Sequence, residues 1–240
     1  MVTELEKSRD PRREAITLLR VLSYYYSFRD LEKMLGIHFQ SLWRYATLNS
    51  VPEKDTAERI LYKVRELNII KSIIDNELNS AEGEYHILAR SPGFTNILAY
   101  IITDTINFNS NMKLNSIIAL SHDAISLATT IALNTEAKIC YIQSESKLER
   151  GGFLTIHYKS KKYKELKSII IPKDCIGEET NIAIVDIKLD DIDKILAVEG
   201  LAKKTKSKIT LAAFIIADKE SYNELQQKLS NTKILVLKIT

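Results

Sequence analysis

The chain has 240 residues, 45% of them hydrophobic and 27% charged, with a formal net charge of +3. That is enough apolar material for buried cores and enough length for two domains, so a disordered chain is excluded. The small charge excludes a strongly basic coat for nucleic acid. No apolar run reaches membrane-spanning length, and the polar N-terminus is no signal peptide.

Pro11 opens a predicted helix to about Tyr25, with Ala15, Leu18, Leu19 and Leu22 on its buried face. Arg12 and Arg13 at its start can reach phosphates or simply solvate the first turn. The run Tyr24, Tyr25, Tyr26 fits packing around a small helical core. Ser27 to Tyr45 then reads as two short helices with a glycine between them. Ser27 caps the first, and Asp30 stands at capping-box spacing. Leu31, Met34 and Leu35 form one apolar face. Gly36 stands where a left-handed turn strains glycine least, and Ile37 plugs that turn. The second helix begins near His38 with Leu42 and Tyr45 inward, leaving Phe39, Gln40, Ser41 and Arg44 outward. A short helix on a rigid pair, showing Gln, Ser and Arg, suits a DNA major groove.

This stretch resembles the helix-turn-helix of the phage-repressor-like class, through Leu31, Gly36 and Leu42. Glu32 departs from the small residue usual there. The resemblance implies duplex DNA as partner, contacted by His38, Phe39, Gln40, Ser41 and Arg44; the rival reading is an ordinary helical hairpin. Residues 1–70 hold 12 basic and 10 acidic side chains, so any DNA contact needs a local patch.

Beyond the loop ending at Pro52, a helix is expected from Glu53 to Leu67, with Ala57, Ile60, Leu61 and Val64 inward. Asn68 to Leu78 stays helical. Its stripe of Ile69, Ile70, Ile73 and Ile74 offers a surface for a second domain or a second subunit. Residues 79–90 read as a linker, separating a helical head, 1–78, from a second domain, 91–240. Ser91-Pro92 starts a new helix, serine as cap and proline at its first position. Short apolar strands then alternate with helices: Ser116–Leu120, the loop from Ser121, helix Ile125–Leu133, strand Lys138–Ile142. That rhythm implies a parallel sheet covered on both faces. The two cysteines, Cys140 and Cys175, lie in apolar or mixed surroundings. They fit buried thiols in a reducing compartment better than a disulfide framework, and we expect a cytoplasmic protein without membrane contact.

Gly151-Gly152 leads into a predicted hairpin, Phe153–Tyr158 and Leu166–Ile171. Its tip carries Lys159, Lys161, Lys162 and Lys164. Strand Asn181–Val185, helix Asp191–Lys204, strand Lys208–Ala217, helix Ser221–Leu229 and strand Ile234–Ile239 complete the chain. The fold expected is α/β: an all-α helix-turn-helix head, then a doubly wound, mainly parallel sheet with an inserted β-hairpin.

From Ser91 onward the order of elements, with IIALSHDAISLATTIAL, resembles the type I phosphoribosyltransferases. The family's strand ends in two acids that hold ribose hydroxyls. A loop of threonines and glycines follows and cradles a phosphate at a helix N-terminus. The matching stretch here is IAIVDIKLDDIDKI. Asp186 keeps the first acid and Ile187 replaces the second. Asp190, Asp191 and Asp193 stand where the phosphate loop belongs, each expected to repel a phosphate by about 1 kcal/mol or more at contact distance. Asp190 or Asp191 can alternatively cap the next helix. A ligand phosphate is expected instead near Ser121, His122, Asp123, Ala124, Ile125 and Ser126, with Asp186 beside it. Ser121-His122-Asp123 cannot form a triad, because consecutive residues do not converge.

These readings together predict a DNA-binding transcriptional regulator, not an enzyme. Its phosphoribosyltransferase-like domain is inactive, pairs two copies into a homodimer, and senses a nucleotide or other phosphorylated effector. No cofactor or metal is expected. The alternative is an active phosphoribosyltransferase that also binds DNA.

Overall fold

The structure, a computed structural model, describes residues 10–108, 113–143 and 152–240. Gly151, expected in the turn before the hairpin, lies outside them. Five helices come first: α1 (Pro11–Leu22), α2 (Phe28–Leu35), α3 (Phe39–Ala46), α4 (Lys54–Glu66) and α5 (Ile69–Ser80). Helix α1 ends three residues sooner than its apolar spacing suggests. Aromatic side chains lose rotamer freedom in a helix, and Tyr24 to Tyr26 form a turn that leaves Tyr25 and Tyr26 half-buried. Ser27 Oγ accepts the Asp30 amide at 3.2 Å and donates to Asp30 Oδ2 at 2.6 Å. Gly36 takes a left-handed φ of 66° and its amide returns to the Glu32 carbonyl at 2.8 Å, which closes α2. Leu18, Leu19, Leu22, Leu31, Leu42 and Ile60 are fully buried between these helices. Each contributes about 1.5–3 kcal/mol of apolar burial.

The isoleucine stripe is spent within the chain. Ile69, Ile73 and Ile74 are buried and Ile70 packs beside them, so the stripe is not a free surface for a second copy. Residues 81–90 are not a loose tether either. They include a 3-10 helix, Tyr85–Arg90, in which Leu88 and Ala89 are buried.

Then come α6 (Pro92–Phe108), β1 (Ser116–Ala119), α7 (Ile125–Thr135), β2 (Lys138–Tyr141), β3 (Phe153–Ser160) and β4 (Glu165–Pro172). The chain ends with β5 (Asn181–Leu189), α8 (Ile192–Lys204), β6 (Lys208–Ala217), α9 (Lys219–Lys228) and β7 (Lys233–Ile239). Ser91 Oγ accepts the Phe94 amide at 3.3 Å, capping α6 as its position suggests. Strand β5 runs four residues beyond its predicted end at Val185, because Ile187 and Leu189 are both buried. The main sheet has the order β2-β1-β5-β6-β7 with every pairing parallel. Alternation splits its side chains between two cores. Ile117, Ala183, Val185 and Leu211 join a cluster that continues through α6 and α7 into the helical head. Ile118, Ile184, Ala212 and Phe214 join another under α8, α9 and the hairpin.

The hairpin β3–β4 pairs in register from Phe153↔Pro172 to Ser160↔Glu165. It lays Leu154, Ile156 and Tyr158 against the second cluster, and Gln143 bridges to Ile170 at its edge. At its base stands a correction. Cys140 and Cys175 are not thiols but form a disulfide, with Cα atoms 5.8 Å apart. Sheet pairing brings Cys140 of β2 to the turn that follows the hairpin, a proximity invisible across 35 residues of sequence. Ser116 Oγ donates to the Cys175 carbonyl at 2.7 Å and Lys138 pairs with Asp174 at 2.9 Å, holding the same turn. Among the described residues no helix is long and apolar enough to cross a membrane.

Candidate active site

Strand β1 leads outward to β2 on one side, and β5 leads to β6 and β7 on the other. The order therefore reverses between β1 and β5, where open α/β sheets leave a crevice beyond the carboxyl ends of their strands. Here that crevice has a volume of about 850 Å³. Ser121, just past β1, donates its hydroxyl to Asp186 Oδ1 of β5 at 2.5 Å, and the Ile187 amide donates to the same oxygen at 2.8 Å. Burial pushes the Asp186 carboxyl above the usual carboxylate range; Ser121, the nearby Lys194 ammonium and the Ile187 amide oppose that rise. Lys194, in the first turn of α8, donates to the Leu120 carbonyl.

Only Asp190 and Asp191 separate β5 from α8. No glycine or hydroxyl stands there to cradle a phosphate. The carboxylates expected to repel one are nevertheless all engaged. Asp191 is the N-cap of α8: one oxygen accepts the Lys194 amide at 3.3 Å, and the other accepts the Tyr158 hydroxyl at 3.2 Å. Asp193 accepts the Lys161 amide at 2.7 Å. Asp190 accepts from Lys162 Nζ and from the Tyr163 hydroxyl, with Lys188 Nζ 3.9 Å away. Burial works to raise the Asp190 carboxyl, but these donors prevail and hold it below the usual range. The hairpin tip stays exposed, but it is not without contacts. It folds onto the start of α8 and neutralises the acids.

Of the seven residues expected around the ligand, the structure brings Ser121, His122, Asp123 and Asp186 to the crevice. Ala124 is fully buried, Ile125 packs against the core of the α6–α7 face, and Ser126 donates to the Ala89 carbonyl. Sequence reasoning missed the opposite walls. Tyr85 and His86 come from the segment read as a linker, and Tyr163 and Lys167 from the hairpin. A hairpin is a visible pattern, but the direction in which it folds is set by Ile156 and Tyr158 finding α8. The signal available was the alternation of Leu154, Ile156 and Tyr158, which marks a face needing cover. Among the described residues no group of three or more His, Cys, Asp or Glu is placed to hold a metal.

On α3, His38, Gln40 and Arg44 are exposed, while Phe39 and Ser41 are half-buried. His38 Nδ1 accepts the Gln40 amide at 3.4 Å, so this side chain serves as the cap of α3. Arg29 of α2 lies over the Phe39 ring, 5.8 Å from its centre. The large exposed side chain of α3 is Trp43, 47% accessible, which sequence reasoning passed over.

The parallel sheet with this crevice and hairpin is a phosphoribosyltransferase-like fold. Three adenine phosphoribosyltransferase structures show the likeness. That of Thermoanaerobacter pseudethanolicus has a TM-score of 0.53 and 17% identity, over 64% of this chain and 84% of that one. The Saccharomyces cerevisiae enzyme, complexed with an imino-altritol bisphosphate and adenine, gives 0.51 and 20% over 62% and 82%. The Trypanosoma brucei enzyme, in complex with AMP, pyrophosphate and ribose-5-phosphate, gives 0.53 and 14% over 63% and 67%. No family model matches the sequence, and no curated protein matches it. At these identities the likeness establishes the fold. It also overturns the expectation of a DNA-binding regulator with an inactive, non-enzymatic domain. These three structures are adenine phosphoribosyltransferases, and they lend no support to a DNA partner.

Proposed function

We propose that the chain is a phosphoribosyltransferase acting in nucleotide metabolism. A ring nitrogen of a base forms the bond to the ribose C1 of phosphoribosyl pyrophosphate. The bond from C1 to the pyrophosphate oxygen breaks, pyrophosphate leaves, and the base proton passes to solvent. The observation that carries this reading is the Ser121–Asp186 pair across the reversal of strand order, with Lys194 beside it. Asp186 is placed to accept hydrogen bonds from ribose hydroxyls. Ser121, His122 and Asp123 border the path of the leaving group. The ligands in the yeast and trypanosome structures make adenine the first base to try. The deciding experiment incubates the protein with phosphoribosyl pyrophosphate, magnesium and a panel of bases, and follows pyrophosphate release. Turnover lost in Asp186→Asn supports the reading; no release with any base sinks it.

For the helical head we propose, on its geometry alone, that the enzyme also contacts duplex DNA through His38, Phe39, Gln40, Ser41 and Arg44. The supporting observation is the pair of eight-residue helices α2 and α3 set by Gly36, with α3 turned outward. The head is proposed to comprise residues 1–78.

A further inference from the structure

A phosphoribosyl ligand carries phosphate, yet the two residues between β5 and α8 supply no cradle of amides and hydroxyls for it. Of the amides at the start of α8, that of Lys194 is taken by the Asp191 side chain and that of Ile195 by the Asp191 carbonyl. With two of these amides occupied and no glycine or hydroxyl beside them, an anion entering this end of the crevice draws on side chains. Four lysines supply them from different elements. Lys167 on β4, Lys188 near the end of β5 and Lys194 on α8 line the crevice, and Lys162 of the hairpin tip reaches its rim through Asp190.

Three of these converge on one spot. Lys162 Nζ donates to Asp190 Oδ1, and Lys188 Nζ lies 3.9 Å from the same oxygen. The Tyr163 hydroxyl donates to Asp190 Oδ2, and Lys167 Nζ sits over the Tyr163 ring, 3.5 Å from its centre. Lys167 pairs with Tyr158 across the hairpin, on the side that reaches Asp191. Among the described residues no carboxylate lies within ion-pair distance of Lys167 or Lys194. One carboxylate, 29% exposed, is thus surrounded by two ammonium groups and a phenol, with a third ammonium behind the phenol. That donor set fits a phosphate, and Asp190 sits where a phosphate would sit.

We propose that the crevice binds phosphate or pyrophosphate on Lys162, Lys188 and Lys167, and that Asp190 occupies this anion site until a ligand displaces it. The inference rests on the phosphoribosyl reading above and assigns its phosphate contact to side chains. Asp190 is an internal competitor that raises the apparent dissociation constant according to the fraction of time it fills the site.

Calorimetric titration with inorganic pyrophosphate tests this. Asp190→Asn keeps the shape, and the cap of α8 belongs to Asp191, so the fold stays intact. The variant is expected to bind pyrophosphate at least fivefold tighter than the natural chain. Adding Lys188→Gln or Lys167→Gln should remove that gain. Asp190→Ser should reproduce it, which guards against a local effect of asparagine. Unchanged or weaker binding in both Asp190 variants overturns the proposal, as does a gain that survives loss of the lysines. Pyrophosphate release in the turnover assay, alongside either result, would leave the phosphoribosyltransferase reading standing while this assignment falls.

Discussion

Ser121 and Asp186 meet at 2.5 Å, although 65 residues separate them in the chain. The serine follows β1 and the aspartate lies on β5, the two strands between which the sheet reverses its order. This places a half-buried carboxyl at the mouth of the crevice, with its hydrogen-bond partner already positioned.

The cost of that carboxyl sets a pH signature. Burial raises the Asp186 carboxyl in the folded protein above 3.8, the value of the unconstrained group. Between those two values the folded chain holds a proton that the unfolded chain has released, so stability falls as pH rises through this window. Asp186→Asn carries no charge to bury. Thermal melts should show it more stable than the natural chain at pH 7, with the gap closing as pH approaches 3.8. Equal gaps at pH 7 and pH 4 would contradict the assignment.

The disulfide is expected to hold both stability and the hairpin. Closing a loop of 35 residues contributes about 3–4 kcal/mol through restriction of the unfolded chain. Replacing Cys140 and Cys175 by serine should lower the melting temperature by roughly 10 °C. A reductant should have the same effect on the natural chain and none on the double variant. Equal melting of the reduced and oxidised forms would contradict this.

Two glycines separate backbone strain from crowding. A Cβ at Gly36 meets nothing within 4 Å, so Gly36→Ala costs only its left-handed backbone, about 1 kcal/mol. A Cβ at Gly93 would lie 3.0 Å from the Tyr25 ring and hydroxyl and 3.1 Å from Tyr24 Cβ. Gly93→Ala should therefore cost about 1–3 kcal/mol by forcing the head away from α6. Denaturant titration of both variants reads the difference, and the reverse ranking would refute the packing described.

Gln40→Ala and Arg44→Ala should leave folding stability within about 0.5 kcal/mol, since both side chains are exposed. In a titration with duplex DNA at fixed salt, each should weaken specific binding by about 1–3 kcal/mol. Unchanged affinity removes α3 from any contact surface.

Local chemistry made much of the architecture readable. Ser27 and Asp30, Gly36 at a left-handed turn, Ser91 before Pro92 and the short apolar strands each act through near neighbours. What escaped reading depends on distant pairs. The acids after β5 look repulsive in a line of text, but the hairpin tip brings Lys161, Lys162 and Tyr163 to them from about thirty residues away. Likewise Cys140 and Cys175 look like isolated thiols until β2 and the turn after β4 are set side by side. Tyr85 and His86 entered the crevice because Leu88 and Ala89, two small anchors in a polar stretch, pull the connecting segment into the core.

Glu14 has a mechanical consequence. This carboxylate of α1, only 6% exposed, accepts from Arg65 of α4 at 3.3 Å and from the Tyr100 hydroxyl of α6 at 3.1 Å. Drawing the head off the sheet would take the Tyr100 hydroxyl from it but leave Arg65, which travels with Glu14 on the head; the larger loss is the single apolar cluster that runs from the head through α6 and α7 to the sheet. A protease that nicks the backbone between residues 81 and 90 would thus leave two fragments that co-migrate under native conditions and part only in denaturant.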